Sequence, residues 1–144
     1  MGLNPPFGLA AGARVTVDSA PLIYFLESHR VYAPKFAAVF EANAAGLIEI
    51  VISAIAVAEV LAGPLKAGNE AVAVRYRRIL AEWEIIPVDA EVAALAARLR
   101  VRHKLRLADA IHVATALSTD SAALVTHDRD FSGLKGVRLI DGSA

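Results

Sequence analysis

Arg14-Val15-Thr16-Val17-Asp18-Ser19-Ala20-Pro21 changes character at its middle. The first half alternates and is β-branched, which predicts a short strand ending at Asp18. The second half reads as a helix start, with Ser19 near the N-cap and Pro21 in the first turn. Leu22, Ile23, Phe25 and Leu26 give that helix an apolar face. A strand that runs directly into a helix and carries an acid at the junction is the first half of a βα unit.

Outward from that junction the pattern repeats. Pro34 opens a second helix to about residue 45, with Phe36, Val39 and Phe40 inward, and Gly46 ends it. Residues 47–52 form a second strand. Ser53 caps a third helix that is expected to stop at Gly63-Pro64. Residues 70–82 form a fourth helix and 83–88 a third strand. Asp89 caps a fifth helix over 91–103, and a sixth covers 107–117. Strands over 122–126 and 137–140 complete the order β-α-α-β-α-α-β-α-α-β-β. Strands separated by helices predict an α/β fold of three layers, with a mainly parallel central sheet covered on both faces. No internal repeat or linker divides the chain. One domain over residues 14–141 is expected, after a flexible N-terminal tail over 1–13 and before a C-terminal end at 142–144.

Composition narrows the function classes. The chain has 144 residues, 56% apolar and 21% charged, too apolar for a disordered segment. Lys+Arg and Asp+Glu are 15 each, so there is no basic coat, though a local patch is compatible with that total. With no Cys, disulfides, thiolate metal sites and thiol catalysis are excluded, and a reducing cytoplasm is the expected setting. Mean hydropathy is +0.50, yet the mid-chain apolar stretch 50–58 is closed by Glu49 and Glu59. A spanning helix needs about 20 apolar residues, so none is expected.

Four acids fall at informative places. Asp18 closes the first strand, and Asp128 follows the fourth. In open parallel sheets, ligands bind beyond the carboxyl ends of the strands, at a switch point in strand order. Glu59 and Asp109 lie inside unusually apolar helices, Ile55-Ala-Val-Ala-Glu59-Val-Leu and Leu107-Ala-Asp109-Ala-Ile-His112-Val. Singly, each has an ordinary structural use: a cap, a turn acid, an exposed stripe, or a first-turn acid complementing a helix dipole. Together, a cluster of buried carboxylates implies cations, and oxygen ligands favour hard ions such as Mg²⁺ or Mn²⁺. His112, one turn after Asp109, shares its approximate face and reads as a core or supporting histidine.

Val17-Asp18-Ser19, Ala56-Val-Ala-Glu59 with Gly63-Pro64, Leu107-Ala-Asp109-Ala and Thr126-His-Asp128-Arg-Asp130-Phe131 together resemble a PIN domain, closest to VapC-type toxins of toxin–antitoxin pairs. The resemblance covers residues 14–141. It implies a Mg²⁺-dependent endoribonuclease, with Mn²⁺ as a substitute, that hydrolyses phosphodiester bonds in single-stranded regions of RNA. It further implies a cognate antitoxin, a homodimer and a cytoplasmic protein without membrane attachment. The family's acidic quartet maps onto Asp18, Glu59, Asp109 and Asp128, with Ser19, Thr126 and the second acid Asp130 as supporting polar residues. The position three before the helix Glu is often Ser or Thr in the family; here it is Ala56. Two rival expectations are a PIN-like nuclease for RNA processing or structured DNA, and a non-catalytic module that keeps the fold.

On the substrate side, Arg98, Arg100, Arg102, Lys104 and Arg106 hold five of the 15 basic residues and lead into the Asp109 helix. Arg100, Arg102 and Lys104 are candidate RNA contacts; a solvated helix end would also account for them. Aromatic residues are only 6%, which argues against an extensive base-stacking platform. Tyr24, Phe25 and Phe40 are candidates for a dimer or antitoxin face, or ordinary core.

Overall fold

Alternating apolar residues build a sheet that is buried on both sides. The computed structural model describes residues 4–128, 131 and 134–143. Five strands, β1 (Ala13–Val17), β2 (Ile48–Ser53), β3 (Glu84–Ile86), β4 (Ala123–Val125) and β5 (Arg138–Ile140), lie in the order β3-β2-β1-β4-β5, and every pairing is parallel. Six helices connect and cover them: α1 (Ser19–Glu27), α2 (Ala33–Ala44), α3 (Ala54–Lys66), α4 (Glu70–Leu80), α5 (Ala90–His103) and α6 (Leu107–Ser118).

Period-two patterning sorts the core. Val15 and Val17, Ile48, Ile50 and Ile52, and Ala123 and Val125 pack with Leu22, Phe36, Val39, Val60 and Leu80 from α1 to α4. Leu124, which points the other way in β4, packs with Val92, Ala96 and Leu99 of α5 and Ala110, Val113 and Ala114 of α6. α6 is buried along most of its length, which explains its near-continuous small and apolar sequence. Among the described residues no helix is long and apolar enough to cross a membrane.

β1 pairs with β2 on one side and β4 on the other, so the chain reverses its direction of strand addition there. The backbone N–H of Asp18 donates to Val125 O at 2.9 Å, tying the carboxyl end of β1 to that of β4. This is the switch point that the position of Asp18 anticipated.

Two expectations need correction. α3 does not stop at Gly63-Pro64 but runs to Lys66. Pro64 lacks only the N–H that would reach back to Val60. The carbonyls of Gly63, Pro64 and Leu65 still accept from Ala67, Asn69 and Gly68, so the final turn closes around the proline. Residues 4–12, read as part of a flexible tail, lie against the domain. Pro6–Gly8 makes a 3₁₀ turn, Leu9 is buried, and Phe7 packs on the larger core cluster. Arg138 of β5 donates to the Phe7 carbonyl. Leu9 and Phe7 are apolar side chains with a face of the core available to them.

The aromatic residues divide. Phe40 is buried and stacks on Phe25 at 4.1 Å, and Phe25 stays 39% exposed beside a groove between α1 and α2. Tyr24 turns instead toward the carboxyl ends of the strands, against His127.

Candidate metal centre and cleft

Asp18 leaves β1 in extended conformation and caps α1, its Oδ1 accepting from the Ser19 N–H at 2.7 Å. Its other oxygen, Oδ2, accepts from the Thr126 hydroxyl at 2.8 Å. Thr126 follows β4 and also accepts, through Oγ1, from the Asp128 N–H at 3.0 Å. One buried hydroxyl therefore sets the positions of two acids from different strands.

Glu59 reaches the same place from α3. Its Oε1 accepts from Ser19 Oγ at 2.6 Å and from His112 Nε2 at 2.8 Å. His112 is fully buried on α6, with Nε2 also 3.3 Å from Asp18 Oδ1 and 3.2 Å from Ser19 Oγ. Among the described residues, the ligand-capable atoms of Asp18, Glu59 and His112 lie within 4.8 Å of one another. Asp109 and Asp128 stand outside that trio, on the wall of the cleft that it opens into. That cleft is lined by Asp18, Ser19, Glu59, Arg106, Asp109, His127 and Asp128, so all four acids of the quartet border one space. Ala56 is fully buried in the core, where a polar side chain would have to find a partner.

The electrostatics follow from this crowding. The His112 hydrogen bond, helped by Ser19, holds the Glu59 carboxyl below its usual range despite partial burial. Asp109 is pushed up, first by burial and then by the charges of Asp18 and Asp128. Burial opposes charge on His112, and so does its buried Nδ1, which has no partner. The Glu59 hydrogen bond and the charges of Asp18, Glu59 and Asp109 outweigh that opposition, and the imidazole pKa is raised.

This donor set fits a divalent cation. Several carboxylates converge on one cleft, where burial and the charges of Asp18 and Asp128 raise the Asp109 pKa. Carboxylate oxygen ligands suit Mg²⁺ or Mn²⁺.

The basic stretch divides at the end of α5. Lys104 takes the left-handed conformation as the C-cap (φ 55°), turning the chain into α6. Lys104 and Arg106 line a groove that continues from the acid cleft past Asp109 and Asp128. Arg100 and Arg102 are exposed on the last turn of α5 and do not line either space; Arg102 borders a separate hollow with Arg98. Asp130 lies outside the described residues.

Three cleft residues have weak signatures in the sequence. Arg106 stands out there only as part of a charge run. The i, i+3 spacing of Asp109 and His112 is the available signal for the histidine. His127 gives none beyond adjacency to Asp128.

Comparison with known proteins agrees with this architecture. The family model for the PIN domain matches residues 15–137. A chain of a toxin–antitoxin complex from Klebsiella pneumoniae is 31% identical, with 85% of this chain and 94% of that one covered and a TM-score of 0.67. VapBC2 from Rickettsia felis, solved with a DNA fragment from its promoter, is similar in fold at 20% identity, with coverage of 88% and 96% and a TM-score of 0.72. The same holds for VapC20 of Mycobacterium tuberculosis, a toxin that cleaves the sarcin–ricin loop, at 19% identity, coverage of 86% and 98%, and a TM-score of 0.68. No curated protein matches. With the family model spanning most of the chain, and a parallel sheet that delivers the acids to one cleft, the chain belongs to the PIN domain family.

Proposed function

We propose that this chain is the toxin of a toxin–antitoxin pair, a cytoplasmic endoribonuclease that hydrolyses phosphodiester bonds in single-stranded regions of RNA. The observation that carries the reading is the meeting of Asp18, Glu59, Asp109 and Asp128 at one cleft, with Arg106 on its wall. Asp18 and Asp109 would hold Mg²⁺, or Mn²⁺ in its place, with Glu59 and Asp128 completing the set directly or through water. The cation supplies charge neutralisation at the phosphate and a lowered pKa for attacking water. The chain's own residues supply position. Thr126 orients Asp18, and Ser19 with His112 orients Glu59. Lys104 and Arg106 attract the phosphodiester backbone toward an otherwise acidic cleft.

An antitoxin partner is supported by the solved relatives, which include toxin–antitoxin complexes. The groove at Phe25, between α1 and α2, is an apolar surface suited to an antitoxin or to the second subunit of a homodimer.

The test is induced expression scored for growth arrest, with RNA cleavage by the purified protein in Mg²⁺. Asp18→Asn removes a charged ligand and keeps the α1 cap, since Asn caps as well as Asp. It should reduce cleavage by more than the roughly 10–100-fold expected for losing a supporting group, with an unchanged melting temperature. Near-wild-type turnover by that variant would overturn the site. Cleavage of structured DNA alone would point to the rival nuclease class, and no cleavage with either cation to a non-catalytic module.

A further inference from the structure

His127 is half-buried on the wall of the acid cleft, between Thr126 and Asp128. Its ring is clamped by aromatic residues distant in sequence. The Tyr24 hydroxyl lies 2.8 Å from His127 Nδ1, across 103 residues of chain. The rings of Tyr24 and Tyr32 sit 5.4 and 4.5 Å from the imidazole, centroid to centroid, and Phe36 stands at 6.1 Å. Tyr32 is itself braced by His29, stacked at 4.9 Å. An imidazole so enclosed has little free face for base stacking and presents an edge to the cleft.

The direction of that hydrogen bond decides where the ring proton sits. With the Tyr24 phenol donating to Nδ1, the ring carries a proton on Nε2. Burial and the neighbouring Tyr32 and Asp18 hold the Tyr24 hydroxyl pKa above its usual value, so it remains a donor. In that tautomer Nε2–H has no hydrogen-bond partner among the described residues, and the ring clamp holds it as a donor at the cleft.

We propose that His127 is a substrate-binding residue whose Nε2–H donates to a non-bridging phosphate oxygen of the RNA strand in the cleft, with Tyr24 as the positioning residue that sets its tautomer. The proposal rests on the ribonuclease reading above and adds a directional contact to it. Lys104 and Arg106 attract phosphate by charge; an N–H donor held in a ring clamp adds register.

The test compares His127→Ala, His127→Gln and Tyr24→Phe with the wild type on a single-stranded RNA oligonucleotide in Mg²⁺. Binding of the same oligonucleotide is measured in an Asp18→Asn background. An interaction made equally in ground and transition states moves KM and leaves kcat alone. His127→Ala should raise KM and Kd about tenfold, the effect of removing one hydrogen bond to a charged group, with kcat within about twofold. Gln places an amide N–H near the position of Nε2 and should recover most of the affinity. Tyr24→Phe, which frees the tautomer, should raise KM about threefold, less than complete removal of the donor. The proposal is overturned by an unchanged KM in His127→Ala, by a decrease confined to kcat, by a Gln variant as poor as Ala, or by Tyr24→Phe at the wild-type KM. If the wild type neither binds nor cleaves RNA, the ribonuclease reading itself fails. If it cleaves and the variants match it, only the role of His127 fails.

Discussion

Thr126 has no exposed surface, and its hydroxyl serves two acids at once. It donates to Asp18 Oδ2 and accepts from the Asp128 N–H. Valine has nearly the same shape and neither capability. Thr126→Val would leave a buried carboxylate oxygen and a backbone N–H each short of a partner, at a cost of about 1–3 kcal/mol. With Asp18 no longer held, cation affinity or activity should fall by roughly 10–100-fold. Denaturant melts and calorimetric Mg²⁺ titration read the two effects separately. A variant as stable as the wild type with unaltered Mg²⁺ affinity would remove Thr126 from the supporting set. Ser19 makes the comparable link to Glu59, so both small hydroxyl residues act by placing carboxylates.

At the scale of elements, α6 concentrates the titrating groups, with Asp109 and His112 one turn apart and both pKa values raised. The signs give separate pH windows. A histidine raised above its unfolded value of about 6.5 contributes stability that is complete below that pH and is lost as pH climbs through the folded value. For Asp109 the raised pKa means that ionisation costs stability, beginning from about pH 3.9 upward. Glu59, lowered, contributes above about pH 4.3 and loses that contribution as pH falls through its folded value. The two acids oppose each other in the acidic range, whereas His112 acts near neutrality. In chelator, the wild-type melting temperature should therefore fall as pH rises from about 6.5, and His112→Gln should flatten that decline. Equal slopes for the two proteins would show that the imidazole does not hold the cluster together. The same helix marks how far the sequence can be read. Its apolar run, its register and the position of Asp109 are local properties and are legible, as are the caps Ser53 and Asp89. The insertion of His112 between Glu59 and Asp18 depends on α3, β1 and α6 converging, and no local pattern encodes that. Likewise, Gly63-Pro64 reads as a stop by propensity, but carbonyl partners beyond the proline let α3 continue. Tyr24 and His127 are joined only by the pairing of β1 with β4, which brings α1 beside the segment after Thr126.

For the whole molecule, a zero formal charge conceals a sharp local division. Four carboxylates face the cleft, while Lys104 and Arg106 border the groove that extends from it. Arg100 and Arg102, equals of Lys104 in the sequence pattern, lie on the last turn of α5 and line neither space. A run of alternating basic residues on a helix necessarily spreads around its axis, and only the turn at Lys104 brings the following charges back toward the acids. Under the ribonuclease reading, this arrangement predicts which cations touch the strand. On single-stranded RNA, every phosphate that a protein cation neutralises adds about 0.7 to the salt slope of binding. Replacing Lys104 and Arg106 together by Gln should flatten the slope by about 1.4, twice that value, and weaken binding most at low salt. Replacing Arg98 and Arg102 together removes the same formal charge from a separate hollow on α5 and should change the slope much less. Both pairs are measured in the Asp18→Asn background, so that affinity is read without cleavage. Equal flattening by the two pairs would mean that the protein attracts RNA through its general field rather than along a track. A larger effect from Arg98 and Arg102 would move the track to the hollow that they border on α5.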